Sequence, residues 1–302
     1  MAGRNPAITV TPSTVSSSYL TGLIGAGIGP SLSPALHERE ADRHGLRLLY
    51  RTIDIDELAL PATAVGELLR SARTLGFDGL NITHPCKQLV IEHLDELAPE
   101  AAEIGAVNTV VLRAGRAIGH NTDGSGFAQS FARGLPDVPT GSVLQLGAGG
   151  AGAAVAHALL TVGADRLVLV DADQTRAAAL ATALHRTFGP GRASTAPLPD
   201  LAAQLARADG LVHATPTGMA GHPGLPFPAE LLHPRLWVAE VVYRPLETEL
   251  LRTARALGCR TLDGGGMAVF QAADAFRLFT GCEPHIDRML DDLADLVGSP
   301  TR

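Results

Sequence analysis

Short apolar runs alternate along this chain with segments in which apolar side chains recur at the spacing of an amphipathic helix. Such alternation is typical of an α/β fold, in which helices cover a largely parallel sheet. The first part of the chain predicts strands over 20–24, 48–53, 79–83, 107–112 and 117–119, and helices over 33–44, 64–75 and 88–94.

The second part of the chain continues the pattern and indicates another layer of strands and helices. A helix is predicted over 123–134, and strands follow over 166–170, 210–214, 236–242 and 260–262, with helices between them. Two final helices, over 269–279 and 286–297, are expected to return to the first lobe. We therefore expect two lobes, one made of residues 1–120 with 268–302 and the other of residues 121–267.

A glycine-rich turn identifies the second lobe. Segment 143–152 reads VLQLGAGGAG and places Gly147, Gly149 and Gly152 in G-x-G-x-x-G spacing between an apolar run and an alanine-rich helical pattern. In a dinucleotide fold the first glycine permits the tight turn, the second lets a pyrophosphate approach, and the third packs helix on strand. An ordinary strand-to-helix turn is the alternative. The context favours a Rossmann-type dinucleotide-binding lobe, with phosphates at a helix N-terminus.

A carboxylate after the next predicted strand indicates which dinucleotide is preferred. Asp171 comes about 20 residues after the last glycine, where such folds bind the adenosine ribose. Asp171 and Asp173 together would repel a 2′-phosphate, so we expect NAD, with NADP less favoured. Arg176 lies just downstream and would weaken this exclusion if its side chain turned inward.

Length and composition are consistent with a two-lobed enzyme. The chain has 302 residues, more than one hydrophobic core usually organises. Its net charge of −7 argues against nucleic-acid and anionic-membrane partners, and no stretch is apolar enough to span a bilayer. Three scattered cysteines suggest no disulfide framework and favour a cytoplasmic location. Segment 1–18 is expected to be a loose polar leader without the apolar core of a secretory signal.

Polar residues cluster where the predicted strands of the first lobe end, which is where open α/β sheets bind ligands. Four segments share this property: 31–34 (SLSP), 81–87 (NITHPCK), 105–109 (GAVNT) and 119–124 (GHNTDG). Together they resemble the substrate-binding signature of the shikimate dehydrogenase family. Segments 214–219, 242–248 and 264–272 are similar to the family's remaining motif blocks, so the resemblance covers nearly the whole chain. Among its members, the bacterial NAD-dependent quinate/shikimate dehydrogenases are the most similar.

The resemblance implies oxidation of one ring hydroxyl of a cyclic hydroxy acid, with hydride passing to a nicotinamide. It implies that Ser31 and Ser33 bind the substrate carboxylate, although Ser33 would otherwise be a helix cap. It also implies that a set of polar residues surrounds the ring hydroxyls: Asn81, Thr83, Asn108, Tyr243 and Gln271. The alternative for each asparagine is a turn residue, and the alternative for Tyr243 is an interface aromatic.

Lys87 and Asp123 are the catalytic candidates that the resemblance indicates. Oxidising an alcohol by hydride loss requires removal of its proton, and a lysine serves as base when its surroundings favour the neutral amine. Asp123 would hold the reacting hydroxyl and orient the lysine. A plain ion pair that closes the cleft is the alternative for these two residues.

On the cofactor side, the resemblance implies contacts from the glycine turn and from later segments. The expected residues are Gly147, Ala148, Gly149, Gly150, Ala151, Gly152, Asp171, Arg176, Thr215, Val241, Gly264 and Met267. His213 and Glu240 depart from the family pattern, which usually has asparagine and aspartate at these positions. No metal is expected, since the histidines show no H-x-x-x-H or H-E-x-x-H spacing.

The sequence thus predicts an NAD-dependent quinate/shikimate dehydrogenase. There are two alternatives: an enzyme that acts on an amino-substituted relative such as aminoshikimate, and a catalytically silent sensor of the same fold. Intact Lys87 and Asp123 argue against the sensor. A small cyclic hydroxy acid is the expected partner, and a homodimer is left open as the assembly.

Overall fold

A computed structural model of the chain describes residues 17–298, so most of the predicted leader lies outside the described residues. The first sheet contains β1 (Ser18–Gly25), β2 (Arg47–Asp54), β3 (Gly79–Ile82), β4 (Glu96–Leu97), β5 (Thr109–Arg113) and β6 (Arg116–His120). Its strand order is β2-β1-β3-β5-β6-β4. β2, β1 and β3 are parallel, whereas β5 is antiparallel to both of its neighbours.

The helices of this part are α1 (Ser33–Arg43), α2 (Val65–Thr74) and α3 (Pro99–Ile104). One prediction was wrong here, and two short elements were not predicted. The helix expected over 88–94 is a short 3₁₀ segment, Leu89–His93, and β4 and α3 were not predicted. Both missed elements are too short to show a periodic apolar pattern, so the sequence carried little signal for them.

The second sheet is entirely parallel, as the continuous apolar runs predicted. It contains β7 (Val143–Leu146), β8 (Leu167–Val170), β9 (Ala193–Thr195), β10 (Gly210–His213), β11 (Trp237–Glu240) and β12 (Arg260–Leu262). The strand order is β12-β11-β10-β7-β8-β9, which is the doubly wound order of a Rossmann fold. The direction of winding reverses between β7 and β10, and ligands bind at the carboxyl ends of strands at such a point.

Seven further helices accompany this sheet: α4 (Thr122–Gly134), α5 (Gly150–Thr161), α6 (Gln174–Phe188), α7 (Leu201–Leu205), α8 (Glu249–Ala256), α9 (Gly264–Thr280) and α10 (Ile286–Gly298). α9 begins five residues before its predicted start, because Asp263 caps it by accepting a bond from the N–H of Gly265 at 2.9 Å. α9 packs on α4 and α1, and α10 packs on α9 and α1, so the chain returns to the first sheet as expected.

Close helix packing joins the two parts of the molecule. A Cβ on Gly126 of α4 would lie 2.8 Å from the N of Gln271 on α9, so glycine permits this approach of two backbones. Between residues 17 and 298, none of the helices combines the length and apolar character that crossing a bilayer requires. α4 also contacts α5 and β12, and α9 contacts β1 and β5, so this helix pair links elements of the two sheets.

Candidate active site

The two residues predicted to carry proton chemistry are in contact. Lys87 lies in the turn after β3, and Asp123 lies in the first turn of α4. Lys87 Nζ is 2.5 Å from Asp123 Oδ2, and the two side chains are 14% and 8% exposed. Asn108 Nδ2 donates to the other oxygen, Asp123 Oδ1, at 2.9 Å. The amine is therefore held by a carboxylate that is itself fixed on both oxygens.

Lys87 is the only lysine of the chain, beside 23 arginines. An arginine guanidinium cannot be deprotonated in proteins, whereas a lysine amine exchanges its proton more readily. Among the lysine and arginine side chains of the sequence, the only one suited to proton transfer therefore lies in the cleft. This count was available in the sequence and was not used in the prediction.

The lysine also lies against the glycine turn of the second sheet. A Cβ on Gly150 would lie 3.5 Å from Lys87 Cδ, which is ordinary van der Waals contact. Gly150 is the first residue of α5, the helix that follows the turn. The aliphatic part of the Lys87 side chain therefore lies beside the turn predicted to bind the pyrophosphate.

Asn108 connects several of the predicted substrate residues. Its Oδ1 accepts a bond from the N–H of Thr122 at 2.7 Å, and its Nδ2 donates to Thr122 Oγ1 at 2.9 Å. Gln271 Oε1, from α9, is 3.5 Å from the same Nδ2. Asn108, Asp123 and Gln271 are therefore brought together from three segments that are far apart in sequence.

Asn81 lies within β3 and is therefore no turn residue. Its Oδ1 accepts a bond from the hydroxyl of Tyr50 at 2.7 Å, and its Nδ2 donates to Thr109 Oγ1 at 3.0 Å. Burial raises the pKa of Tyr50 far above its usual range, although a hydrogen bond with Ser33 opposes this. Tyr50 was missed by the sequence reasoning, since an aromatic residue in a strand is ordinarily core.

Each of the two serines lies near a tyrosine. Burial raises the pKa of Tyr50 and of Tyr243, and the side chains of Ser33 and Ser31 respectively act against that rise. The N-cap of α1 is Leu32, with no side-chain cap, so Ser33 does not cap the helix as the alternative held. Ser31 Oγ accepts a bond from the N–H of Ser33 at 3.2 Å. The predicted carboxylate-binding pair thus lies between the two tyrosines.

A further carboxylate, not predicted, fixes the loop that leads to Ser31. Asp54, at the end of β2, accepts bonds from the N–H groups of Gly27 at 3.0 Å, Ile28 at 2.7 Å and Asp56 at 3.0 Å. Burial alone would raise the pKa of Asp54, but these backbone bonds outweigh it and the pKa is lowered. The side chain of Thr83 packs nearby, close to Gly25.

The glycine turn has the geometry that its spacing predicted. Gly147 has φ +104°, and a Cβ there would lie 2.5 Å from the carbonyl oxygen of Ala214. A Cβ on Gly152 would overlap the carbonyl of Gly147. Gly149, by contrast, faces open space with no atom within 4 Å. The first and third glycines are thus required by the fold, and the second leaves room for a ligand.

Two other features complete the turn. Gln145, a buried polar residue in β7, donates from Nε2 to the carbonyls of Gly147 at 2.8 Å and Gly152 at 2.7 Å. The N-terminus of α5 has no side-chain cap, and the first N–H groups of a helix, here including that of Ala151, are the kind of group that binds anions. Gln145 was not predicted, although a glutamine in an apolar run is a detectable signal.

Asp171 and Arg176 form an ion pair at the end of β8. Arg176 Nη2 is 2.7 Å from Asp171 Oδ1, and the N–H of Ala148 donates to Asp171 Oδ2 at 2.6 Å. Burial alone would raise the pKa of Asp171, but the bonds from Arg176, Asp173 N–H and Ala148 N–H lower it overall. Arg176 has therefore turned inward, which was the condition for a weaker exclusion of a 2′-phosphate.

The two departures from the family pattern contact each other. His213 ends β10 and Glu240 ends β11, in direct register on neighbouring strands. His213 Nδ1 lies 2.9 Å and 3.0 Å from the two oxygens of Glu240, and both side chains are fully buried. His213 Nε2 lies 2.5 Å from the hydroxyl of Thr215, a predicted cofactor residue. The histidine thus links a buried carboxylate to the loop beside the glycine turn.

The remaining cofactor candidates lie where β11 meets α9. A Cβ on Gly264 would overlap the carbonyls of Val241 and Val242, so the start of α9 approaches this strand end closely. Met267 is 6% exposed and belongs to the core cluster that includes Phe127. Packing is the role of Met267 that the structure shows, and its contact with a nicotinamide stays a prediction.

Fold and site together define an α/β protein of two sheets, with a Rossmann-type dinucleotide turn beside a largely buried lysine–carboxylate pair. A family profile described as the shikimate dehydrogenase substrate binding domain matches residues 23–110. A shikimate dehydrogenase (NADP(+)) of Streptomyces avermitilis is 73% identical over 282 residues, covering 93% of this chain and 97% of the relative. The chain belongs to the shikimate dehydrogenase family.

Two further comparisons involve corynebacterial proteins. A quinate/shikimate dehydrogenase (NAD(+)) of Corynebacterium efficiens is 50% identical over 273 residues, covering 90% of this chain and 96% of the relative. The structure of quinate dehydrogenase from Corynebacterium glutamicum in complex with NAD is 48% identical, with a TM-score of 0.87. It covers 93% of this chain and 100% of that one.

Proposed function

We propose that this protein transfers hydride reversibly between a nicotinamide dinucleotide and a ring hydroxyl of quinate or shikimate. The observation that carries the proposal is the Lys87–Asp123 contact of 2.5 Å beside Gly150 of the dinucleotide turn. It joins a proton-transferring group from one lobe to the cofactor turn of the other. The names of the similar proteins support the same reaction and give no support to the aminoshikimate or sensor alternatives.

The residues present fit a dinucleotide. Gly149 faces open space, the N-terminus of α5 is uncapped, and Asp171 ends the next strand, as pyrophosphate and ribose require. When bound, the nicotinamide accepts or supplies the hydride. Gly147 to Gly152 would hold the pyrophosphate, and Thr215, Val241 and Gly264 would line the nicotinamide half.

The protein's own residues would handle the proton and the orientation of the substrate. Ser31, Ser33 and Tyr243 would donate to the substrate carboxylate, since each has a hydroxyl at the same end of the cleft. Asn81, Asn108, Gln271 and Thr83 would hold ring hydroxyls. The amides of Asn81 and Asn108 also bond within the protein, which would fix their orientation toward the ring.

Lys87 would exchange the hydroxyl proton. In the oxidising direction the neutral amine takes the proton from the alcohol, and in the reducing direction the ammonium returns it to the carbonyl oxygen. Asp123 would position both the amine and the reacting hydroxyl. Because Asn108 fixes Asp123, this geometry requires no rearrangement of the carboxylate.

NAD is the cofactor that we propose, with NADP disfavoured. Arg176 neutralises part of the negative charge of Asp171, but Asp173 adds a second carboxylate at the same strand end. The two carboxylates together would therefore still repel a 2′-phosphate, but more weakly than two carboxylates without a cationic partner would. The Streptomyces relative is named for NADP(+) and the corynebacterial relatives for NAD(+), so the ratio is worth measuring directly.

The test follows reduced-cofactor absorbance with quinate or shikimate and with NAD or NADP. Lys87→Arg retains the charge but not the exchangeable amine, and it should lower kcat at least about 10²-fold, as Lys87→Ala should. Wild-type turnover in Lys87→Arg would remove the lysine from the mechanism. Asp171→Ala should move the kcat/KM ratio toward NADP at least about tenfold, the effect of one modest ionic contact. Arg186→Ala, which changes an exposed arginine on α6, is the control.

Three other expectations stay predictions. They are the assignment of residues 1–120 with 268–302 to substrate and 121–267 to cofactor, a homodimer, and a cytoplasmic location. The first is tested by ligand-induced chemical shift changes, which should divide between the lobes in this way. Sedimentation and fractionation of cells test the other two.

A further inference from the structure

A second cluster of polar side chains lies away from the cleft, where the start of α10 meets α1. Glu40 is in the last part of α1, His44 follows that helix, and His285 directly precedes α10. One donor atom from each residue lies within 4.8 Å of the others. His44 Nε2 and His285 Nδ1 lie 3.0 Å and 2.9 Å from the same carboxylate oxygen, Glu40 Oε1.

We propose that Glu40, His44 and His285 form a zinc-type transition-metal site that fastens α10 to α1. Two imidazole nitrogens and one carboxylate oxygen make the His₂Glu set that zinc accepts, with a water as fourth ligand. Donor atoms of a tetrahedral zinc site lie about 3.3 Å apart, close to the two observed nitrogen–oxygen distances. Small side-chain adjustments would therefore admit the ion.

The surroundings are compatible with a cation at this place. Arg43 binds the other oxygen, Glu40 Oε2, at 2.9 Å, whereas Oε1 bonds with both histidine rings and accepts a bond from the backbone N–H of His285 at 2.7 Å. Arg43 and Arg39 are also paired with Asp292, so the nearby cations have carboxylate partners. Each histidine can present its lone pair by moving its proton to the other ring nitrogen. His285 is 48% exposed, which gives an ion access from solvent.

The site is separate from the catalytic cleft. Glu40 follows Ser33 by seven residues on α1, which places it about 10 Å along the helix from Ser33. The helix supplies Glu40, and His285 comes from a segment 245 positions away in sequence. The spacing of histidines in the sequence, which predicted no metal, could not report this arrangement, since one ligand is a glutamate and another is remote.

The experiment uses the full chain after treatment with a chelator and dialysis. Titration calorimetry with ZnCl₂ should show one ion per chain, and Co²⁺ should give the visible absorption of a tetrahedral site. His44→Ala and His285→Ala should each weaken zinc binding at least about tenfold, since each removes one of three protein ligands. Zinc at about 100 times its Kd should raise the Tm of the wild type by about 5 °C or more, and Mg²⁺ should not.

Matched controls separate this site from other places where zinc might bind. His157 pairs with Glu103 at 2.9 Å in a two-residue contact, so His157→Ala should leave zinc binding unchanged. Cys282 lies near His285 in sequence, and Cys282→Ser should also leave it unchanged. The proposal is overturned if the wild type binds no zinc in the micromolar range, or if His44→Ala binds as the wild type does. Loss of binding in Cys282→Ser with retention in His44→Ala would also overturn it.

Discussion

Replacing His213 by leucine should destabilise the second lobe more than any single hydrogen bond would explain. Glu240 accepts bonds from His213 Nδ1, from the N–H of Val242 at 3.0 Å and from the hydroxyl of Thr248 at 3.2 Å. Leucine removes the histidine donor and leaves a carboxylate that is fully buried. Leaving a buried carboxylate uncompensated costs about 3–5 kcal/mol of unfolding free energy.

Two other substitutions calibrate this cost. Glu240→Gln retains an acceptor for His213 and exchanges charge-assisted bonds for neutral ones, at about 1–2 kcal/mol. Thr248→Val removes one donor and should cost about 1 kcal/mol. In the double variant His213→Leu with Glu240→Gln, no uncompensated carboxylate remains. The double variant should therefore lose about 2 kcal/mol less unfolding free energy than the sum of the losses in the two single variants.

Urea unfolding followed by fluorescence measures these energies in the correct lobe. Trp237 is the only tryptophan of the chain, is 2% exposed, and lies on β11 with Glu240. A loss of about 3–5 kcal/mol corresponds to a fall in Tm on the order of 10 °C. Because His213 also contacts Thr215, His213→Leu should raise the KM for the dinucleotide. If the loss of unfolding free energy in the double variant equals the sum of the two single losses within about 0.5 kcal/mol, the coupling of His213 with Glu240 is refuted.

Three further predictions follow from single contacts. Gly149→Ala places a methyl group in open space, so the Tm should hardly change while the KM for the dinucleotide rises at least about tenfold. A lower Tm with an unchanged KM would contradict the assignment of Gly149 to the pyrophosphate site. The pKa of Asp54 is lower in the folded protein than in the unfolded chain. Ionised Asp54 therefore stabilises the folded protein fully above the ordinary carboxyl pKa, and this stabilisation is lost as the pH falls through the folded-state pKa. The Tm difference between wild type and Asp54→Asn should accordingly shrink below about pH 4, and a constant difference down to acid pH would count against it. Reductive methylation should modify only Lys87 and the amino terminus, and quinate should slow inactivation if Lys87 lies in the substrate pocket.

The parts of the site that the sequence predicted are those carried by local patterns. The glycine spacing predicts a turn because three positions within six residues each require the absence of a side chain. A Cβ at Gly147 or Gly152 would overlap a neighbouring carbonyl, and Gly149 faces open space. The polar strand ends were predictable for a similar reason. Parallel strands bring their carboxyl ends to one edge, so segments remote in sequence share a cleft once the fold class is known.

The unpredicted parts depend on register between strands or on packing between helices. His213 and Glu240 were each recognised as departures from the family pattern, but their contact follows from the pairing of β10 with β11. One departure compensates the other, since a longer carboxylate meets a ring nitrogen. Tyr50 and Asn81 are a similar case, because β1 lies between their strands and only sheet order brings them together.

The cofactor prediction shows how one side chain changes an electrostatic argument. Two carboxylates after β8 suggest strong repulsion of a 2′-phosphate, but Arg176 lies on the first turn of α6 and reaches back to Asp171. An ion pair of this kind has little net charge, so discrimination rests more on Asp173 and on what each ribose hydroxyl can bond. Arg176→Ala should therefore sharpen the preference for NAD, because it exposes the charge of Asp171. An unchanged ratio of kcat/KM for NAD and NADP in that variant would show that Arg176 has no part in the choice.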